Sequence, residues 1–207
     1  MRHRNPEHTS VSSSAHSFKG QKRPLRPAEV WAIRARLEMK QNHRDLALFN
    51  LAIDSKLRGC DLVRLYVEDV MVGESIRDRT MIIQKKTKRP VQFEITQSTA
   101  TSLKTWVAKA DLQPQDRLFP SRISGREHLS ERQYNRIVLG WVDEIGLDPS
   151  NYGTHSLRRT KATQIYRKTG NLRAVQILLG HTKIESTVRY LGVDIEDALA
   201  ISESLEL

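Results

Sequence analysis

Apolar residues recur at helical spacing through most of the chain and at strand spacing in one short stretch. Val30, Ile33 and Leu37 make one face of a helix that begins at Pro27, because proline suits the first helical position. A more deeply buried helix follows over residues 46–53, and residues 55–62 form a short turn that opens another helix. The start of the ordered chain is therefore predicted to be helical.

Two segments with strand character, residues 80–84 and 91–95, flank a basic turn over residues 85–90. Helical spacing then returns, and its apolar positions are Leu103, Trp106, Val107, Ala110, Tyr134, Ile137, Val138, Trp141 and Ile145. Ser130 and Gln133 have the spacing of a capping box, and Gly170 and Gly180 are predicted to end two helices. The predicted fold class is mainly α with a small antiparallel β-sheet (α+β).

The charge of the chain indicates a polyanionic partner. Lys and Arg number 34 against 24 Asp and Glu in 207 residues, so the formal net charge is +10. Cys60 is the single cysteine, which excludes an internal disulfide and is compatible with a reducing cytoplasm. The sequence contains no apolar run long enough to span a bilayer, so we expect a cytoplasmic protein without a membrane partner.

Both ends of the chain differ in composition from the centre. Residues 1–26 are rich in serine and basic residues, which predicts a disordered tail, either a solubilising leader or an arm along DNA phosphates. Residues 193–207 are acidic and predict a short amphipathic helix that packs on its own domain or docks on a neighbouring protomer. The domain itself is predicted to span residues 27–192.

A group of residues suited to anion binding lies in the last third of the chain. His155 and Arg158 are three residues apart and would share a helix face, with Thr154 as the N-cap. Unpaired N–H groups and the helix dipole favour an anion there. His181 follows in Leu-Gly-His, and Tyr190 lies nine residues beyond it. A phosphate-binding site that also carries a tyrosine is a candidate for phosphotyrosine chemistry.

Cleavage of a DNA phosphodiester passes through a five-coordinate phosphorus with extra negative charge on its oxygens. Two arginines can neutralise that charge, a lysine can protonate the leaving oxygen, and histidines can accept a proton or hold an oxygen. A tyrosine nucleophile would conserve the bond energy in a covalent ester. The sequence offers candidates for every role: Arg58, Arg158, Lys86, His155, His181 and Tyr190.

The order of these residues resembles the catalytic domain of the tyrosine recombinases, the phage integrase family. The segments that carry the resemblance are Leu57-Arg58 with Asp61, Lys86-Thr87, Leu157-Arg158-Arg159-Thr160, Leu179-Gly180-His181 and Tyr190. The resemblance covers about residues 27–207 and implies the tyrosine-recombinase catalytic-domain fold. It also implies cleavage of each DNA strand by Tyr190, which leaves a 3′-phosphotyrosine and a free 5′-hydroxyl before strand exchange.

The same resemblance implies a role for each of the other residues. Arg58 and Arg158 would hold the scissile phosphate, and Lys86 would be the general acid. His155 would be a general base or phosphate ligand, and His181 would bond the phosphate. Asp61 is expected to support Arg58 or His155, and four further basic residues are expected to contact DNA: Lys85, Lys88, Arg89 and Arg159. Lys85 and Lys88 share a turn with Lys86 and are alternatives to it as the acid.

The partners implied are double-stranded DNA with a specific recombination site and further copies of the chain, as a dimer or tetramer on DNA. An accessory DNA-bending protein is a further implied partner, and a bacterial chromosome, phage or plasmid is the expected source. The outcome would be integration, excision, inversion or resolution of a DNA element. The sequence shows no metal-ligand spacing and no Gly-rich phosphate loop, so neither a metal nor a nucleotide cofactor is expected.

Three features depart from the family pattern. Family members usually carry a separate N-terminal helical domain, whereas this chain has room only for a tail, as in short single-domain recombinases. Ser55-Lys56-Leu57 stands where a glycine is common, and Arg159 stands where a second histidine is common. Two alternatives remain open: a non-catalytic DNA-binding regulator on the same fold, and a type IB topoisomerase-like enzyme. The complete catalytic set argues against the regulator.

Overall fold

Helices dominate the computed structural model, which describes residues 21–123, 125, 127–192 and 203. The helices are α1 (Pro27–Met39), α2 (His43–Ser55), α3 (Gly59–Leu62), α4 (Val67–Val70), α5 (Gln97–Lys109), α6 (Glu131–Glu144), α7 (Thr154–Thr169), α8 (Leu172–Leu179) and α9 (Ile184–Leu191). The strands β1 (Met71–Val72), β2 (Ser75–Ile76), β3 (Arg79–Ile83) and β4 (Pro90–Glu94) form two antiparallel hairpins, and a 3-10 turn occupies Pro149–Asn151. The predicted α+β class is confirmed.

Most of the predicted element boundaries agree with the structure. The first helix begins at Pro27, and the Ser130 hydroxyl accepts a hydrogen bond from the Gln133 amide at 3.1 Å at the start of α6. Gly170 and Gly180 end α7 and α8 with left-handed backbones, at φ values of 63° and 65°. The two strands of the basic hairpin each begin and end one residue earlier than predicted. The β1–β2 hairpin was missed, because two residues per strand are too few to show alternation.

The main hydrophobic core is built around α2. Leu48, Phe49 and Leu51 are fully buried, and the Phe49 ring meets the edge of Trp141 of α6 at a centroid distance of 5.4 Å. Phe93 of β4 brings the hairpin onto the same core. A second, smaller core holds α7, α8 and α9 together; its buried members are Ala162, Val175, Leu179 and Leu191. The C-terminal helices thus form a unit packed against the α2-centred core.

The residues that precede Pro27 pack against the domain. Leu25 is buried, and its backbone N–H donates to the Thr160 hydroxyl at 3.0 Å. The Arg23 N–H donates to the Asn151 carbonyl at 2.9 Å. Residues 23–25, which the sequence assigned to the tail, therefore lie on the domain. Residues 1–20 of the predicted tail lie outside the described residues. So do residues 193–202 and 204–207, which make up nearly all of the predicted acidic helix.

A cluster of buried charges joins α2, β4 and α7. The Lys161 ammonium of α7 lies 2.7 Å from carboxylate oxygens of both Asp54 and Glu94, and Lys56 pairs with Glu94 at 2.9 Å. The other Asp54 oxygen accepts from the backbone N–H and hydroxyl of Thr96 at 2.9 and 2.6 Å. Lys56 caps α2 with φ of 54°, a left-handed backbone that usually favours glycine. Its ion pairing offsets part of that strain and fixes the turn that leads to Arg58.

No helix within the described part of the chain has the length and apolar character needed to cross a membrane.

Asp54→Asn should lower the free energy of unfolding at pH 7 by roughly 2–3 kcal/mol, since it removes a buried partner of a partly exposed lysine. Desolvation alone would raise the pKa of Asp54, but hydrogen bonds from Lys161, Thr96 and Thr99 outweigh it and lower the pKa. The stabilisation is therefore present above the unfolded-state pKa and lost as the pH falls through the lowered folded-state pKa.

Urea unfolding from pH 7 to pH 3 measures both effects, and the variant should lose less stability on acidification than the wild type. The exposed α6 residue Asp143, changed to Asn, is the control and should shift stability by no more than about 0.5 kcal/mol. Equal losses in the two variants would contradict the structural role of the Asp54 cluster.

Candidate active site

The start of α7 presents His155 and buries Arg158. The helix begins at Thr154, so Gly153 and not Thr154 is the N-cap, and this part of the sequence prediction is wrong by one residue. A Cβ at Gly153 would lie 3.2 Å from the Asn135 side-chain oxygen, so the close approach of α6 favours glycine at the cap. His155 stays exposed in the first turn, whereas Arg158, one turn later, is only 3% exposed.

Arg158 connects α7 to the end of α8. Its Nη2 donates to the Leu179 carbonyl at 2.7 Å, while its Nη1 has no hydrogen-bond partner among the described residues. The guanidinium carbon lies 5.8 Å from the centre of the Tyr190 ring. Desolvation lowers the pKa of Arg158 from its ordinary value of 12.5, although the group stays charged at neutral pH. The site thus contains a buried positive charge with an unused N–H donor.

Arg58 reaches the same region from the turn before α3. Its Nη1 donates to the Gln84 side-chain oxygen at 2.7 Å, and the Thr87 hydroxyl donates to the same oxygen at 2.7 Å. Gln84 is fully buried at the end of β3. A Cβ at Gly180 would lie 3.2 Å from the Gln84 amide, so the Leu-Gly-His turn packs directly on this glutamine. Three segments that are far apart in sequence meet here.

The turn between β3 and β4 carries the candidate lysines. The Asp61 Oδ1 accepts from the backbone N–H of Lys85 at 2.8 Å, so Asp61 supports this turn and forms no hydrogen bond to Arg58 or His155. The support of Arg58 or His155 that the sequence led us to expect stays a prediction. Lys86 is exposed, and so are Lys85, Lys88 and Arg89. The positive charge of Lys86 is the smallest of the contributions that lower the pKa of His155.

His181 follows Gly180 and lies against the tyrosine. Its ring meets Tyr190 edge to face, with centroids 5.3 Å apart and an interplanar angle of 83°. Its Nδ1 pairs with the buried Thr187 hydroxyl at 3.1 Å, which orients the ring. Desolvation, followed by the charges of Arg158 and Arg58, lowers the pKa of His181 to about 4. The imidazole is therefore neutral at physiological pH.

Tyr190 places its hydroxyl in this cluster. The hydroxyl oxygen is buried, and no described residue pairs with it in hydrogen-bond geometry. Desolvation raises the pKa of Tyr190 to about 12, while the charges of Arg158 and Arg159 oppose the rise. The phenol is protonated at neutral pH, so a nucleophilic role would need a proton acceptor. His155 is one candidate, because desolvation and then the charges of Arg158 and Arg159 lower the pKa of its ring.

Arg159 is buried next to the Tyr190 ring. It is 7% exposed, and its Nη1 donates to the Lys22 carbonyl at 2.8 Å. Its guanidinium carbon lies 5.6 Å from the centre of the Tyr190 ring. The Gln21 side chain donates to the Arg189 carbonyl at 2.7 Å, so the same N-terminal segment also contacts α9. Arg159 therefore lies between the N-terminal segment and the Tyr190 ring, and the DNA-binding role expected of it from the sequence stays a prediction.

The described part of the chain contains six buried side-chain nitrogen or oxygen atoms without a hydrogen-bond partner in the protein, and five belong to this site. They are Asp61 Oδ2, Gln84 Nε2, Arg158 Nη1, Arg159 Nε and the Tyr190 hydroxyl. Unpaired buried polar atoms cost free energy, and their concentration at one place is typical of a functional site. The described residues include no group of three or more His, Cys, Asp or Glu side chains suited to a metal ion.

Sequence reasoning missed two residues of the site, Gln84 and Thr187. Glutamine and threonine have no distinctive acid–base chemistry, so neither residue stands out in the sequence. Thr187 could have been noticed from its position six residues after His181, on the short helix that also carries Tyr190. Gln84 could not, because its contacts to Arg58 and Gly180 exist only after the hairpin packs on the helices.

A model of the phage integrase family matches residues 23–196. The chain belongs to this family. The probable integrase/recombinase YoeC of Bacillus subtilis is 30% identical over 156 residues, which cover 75% of this chain and 81% of that protein. Tyrosine recombinase XerC of Actinobacillus pleuropneumoniae is 31% identical over 164 residues, which cover 78% of this chain and 51% of that protein.

Solved structures show the same fold. The XerH site-specific recombinase, bound to its difH substrate in a pre-cleavage complex, is similar with a TM-score of 0.67 at 22% sequence identity. The match covers 86% of this chain and 53% of that chain. This phage integrase family member thus spans about half the length of the XerC and XerH proteins and most of the length of YoeC.

An NMR titration of the free protein should give a midpoint near pH 4 for the His181 ring. Arg158→Ala should move that midpoint upward, because it removes both a positive charge and buried volume next to the imidazole. The exposed Lys109, changed to Ala, lies on α5 and serves as the control. A midpoint near the ordinary value of 6.5 in the wild type, or no change in Arg158→Ala, would contradict the described electrostatics.

Proposed function

We propose that this chain contains the catalytic domain of a site-specific DNA recombinase that cleaves and rejoins strands through a 3′-phosphotyrosine at Tyr190. The observation that carries the proposal is the convergence of Arg58, Arg158, His181 and Tyr190 from four separate segments, next to buried polar atoms without partners. An arriving phosphate oxygen can pair the free donor of Arg158 and thereby relieve the cost of its burial.

In the proposed cleavage step the Tyr190 oxygen attacks phosphorus while the bond from phosphorus to the 5′-oxygen breaks. The phenolic proton passes to a neutral imidazole, and His155 is the candidate acceptor. The leaving 5′-oxygen takes a proton from Lys86, which lies on the exposed turn between β3 and β4. Arg58 and Arg158 stabilise the charge on the non-bridging oxygens. Attack by another strand's 5′-hydroxyl reverses these steps and completes the transfer.

DNA is the proposed partner, and a structurally similar protein, the Tn1549 transposon integrase, has been solved in complex with transposon right end DNA. The net charge of +10 and the exposed cluster of Lys85, Lys88 and Arg89 beside the site suit a polyanion. A specific recombination site, an assembly of further copies of the chain, and an accessory DNA-bending protein belong to the same proposal. The proposal also places the protein in the cytoplasm, in association with the nucleoid. No comparison supports the regulator or the topoisomerase-like alternative.

Tyr190→Phe should bind a site-bearing duplex but form no covalent adduct with it, since only the attacking oxygen is removed. A nicked suicide duplex incubated with the protein and resolved on a denaturing gel measures the adduct. Tyr166→Phe removes a hydroxyl from α7 outside the proposed site and serves as the control, with adduct formation expected at the wild-type level. A protease-sensitive, detergent-stable adduct in Tyr190→Phe would refute the assignment.

We further propose that the acidic residues 193–207 of one protomer dock on the basic domain of its neighbour, which would couple each Tyr190 to assembly. Truncation after Gly192 should then spare binding to a single site and abolish the complex that pairs two sites. Native gels with one and two sites measure both. Full-length Tyr190→Phe is the control and should still pair sites. Normal pairing and strand exchange by the truncated protein would contradict docking and leave the catalytic proposal intact.

A further inference from the structure

We propose that Gln84 is a positioning residue for the cleavage step, which holds the Arg58 guanidinium in its phosphate-facing orientation while leaving its charge available. This inference rests on the proposed function. Gln84 is fully buried at the end of β3, and its side-chain oxygen accepts from Arg58 at 2.7 Å. Arg58 itself is only half-buried and forms no other side-chain hydrogen bond among the described residues. The hydrogen bond to Gln84 is therefore the contact that orients its guanidinium.

The backbone of Gln84 is as firmly held as its side chain. Its N–H donates to the Arg89 carbonyl at 2.9 Å, and its carbonyl accepts from the Lys88 N–H at 2.9 Å. These bonds close the turn that carries the lysines. The Thr87 hydroxyl donates to the same side-chain oxygen that binds Arg58, at 2.7 Å. The acceptor that orients Arg58 is therefore held in place by a closed turn and is not a flexible side chain.

The Leu-Gly-His turn packs against the side-chain amide of Gln84. A Cβ at Gly180 would lie 3.2 Å from both the nitrogen and the oxygen of this amide, and Gly180 has φ of 65°. The absent side chain lets the turn before His181 pack directly onto Gln84. One amide thus touches the segments that carry Arg58, the lysine turn and His181.

The amide is chemically suited to this position. A carboxylate would hold Arg58 equally well but would neutralise the charge needed for the phosphate, whereas a neutral amide oxygen leaves that charge intact. A guanidinium carries five N–H donors, so one bond to Gln84 leaves the others for phosphate oxygens. An apolar side chain of the same size would fill the space but provide no acceptor.

Gln84→Met tests the proposal, because methionine matches the length of glutamine and lacks the acceptor. Single-turnover cleavage of the nicked suicide duplex should slow about 10- to 100-fold, the range expected when a charge-stabilising donor is misplaced. Affinity for uncleaved DNA and the Tm should change little. Gln92→Met alters an exposed glutamine on β4 of the same hairpin and is the matched control, with cleavage expected at the wild-type rate.

A double variant separates positioning of Arg58 from a general packing effect. Adding Gln84→Met to Arg58→Ala should cause no further slowing, because the residue it positions is already gone.

The Gln84→Met defect should also persist on a substrate with a 5′-sulfur leaving group, which needs no general acid. Additive defects in the double variant would overturn the assignment to Arg58. Rescue of the Gln84→Met cleavage rate by the sulfur substrate would also overturn it, because rescue would show that Gln84 acts through the lysine turn.

Gln84→Glu keeps the size and the acceptor and remains informative if the methionine variant unfolds. Its carboxylate would pair with Arg58, so cleavage should slow by at least 10-fold, as for a neutralised phosphate-binding charge. Cleavage at the wild-type rate in Gln84→Glu or Gln84→Met would overturn the inference while the proposed function stands. Absence of any adduct with the wild-type protein would overturn the proposed function, and the inference with it.

Discussion

The burial of Arg158 without a hydrogen-bonding carboxylate is the constraint on which the site depends. A guanidinium that is 3% exposed and bonded to one backbone carbonyl is costly to desolvate, and the packing of α7 against α8 must offset that cost. The charge of Arg158 then acts on its surroundings. It helps to lower the pKa of both His155 and His181, and it opposes the rise in the pKa of Tyr190. The same burial keeps the charge unscreened for a phosphate.

The rest of the fold fixes what surrounds this charge. The buried ion cluster of Asp54, Glu94, Lys56 and Lys161 joins the turn before Arg58 to β4 and to α7, one turn beyond Arg158. The smaller core holds α9 against α7 and so brings the Tyr190 ring to both arginines of α7. The N-terminal segment adds a contact from Lys22 to Arg159. Arg158, Arg159 and Tyr190 are thereby held by separate contacts within one framework.

The sequence predicted those parts of the site that depend on short-range spacing and on residue types with distinctive chemistry. His155 and Arg158 are three residues apart on one helix, and His181 and Tyr190 fall on adjacent elements, so local structure brings each pair into range. Roles that depend on tertiary packing were not predictable. Arg159 reads as a surface cation, yet it is buried against Lys22, and Asp61 accepts a hydrogen bond from the lysine turn. Gln84 becomes meaningful only where three distant segments meet.

Mass spectrometry of the trapped protein–DNA complex tests the central claim most directly. After nuclease and protease digestion, one peptide should retain a nucleotide, and fragmentation should place it on the phenolic oxygen of Tyr190. That result would show that the hydroxyl beside Arg158 and His181 attacks the phosphodiester. A nucleotide on any other side chain, or cleaved DNA with no nucleotide on the protein, would contradict the account.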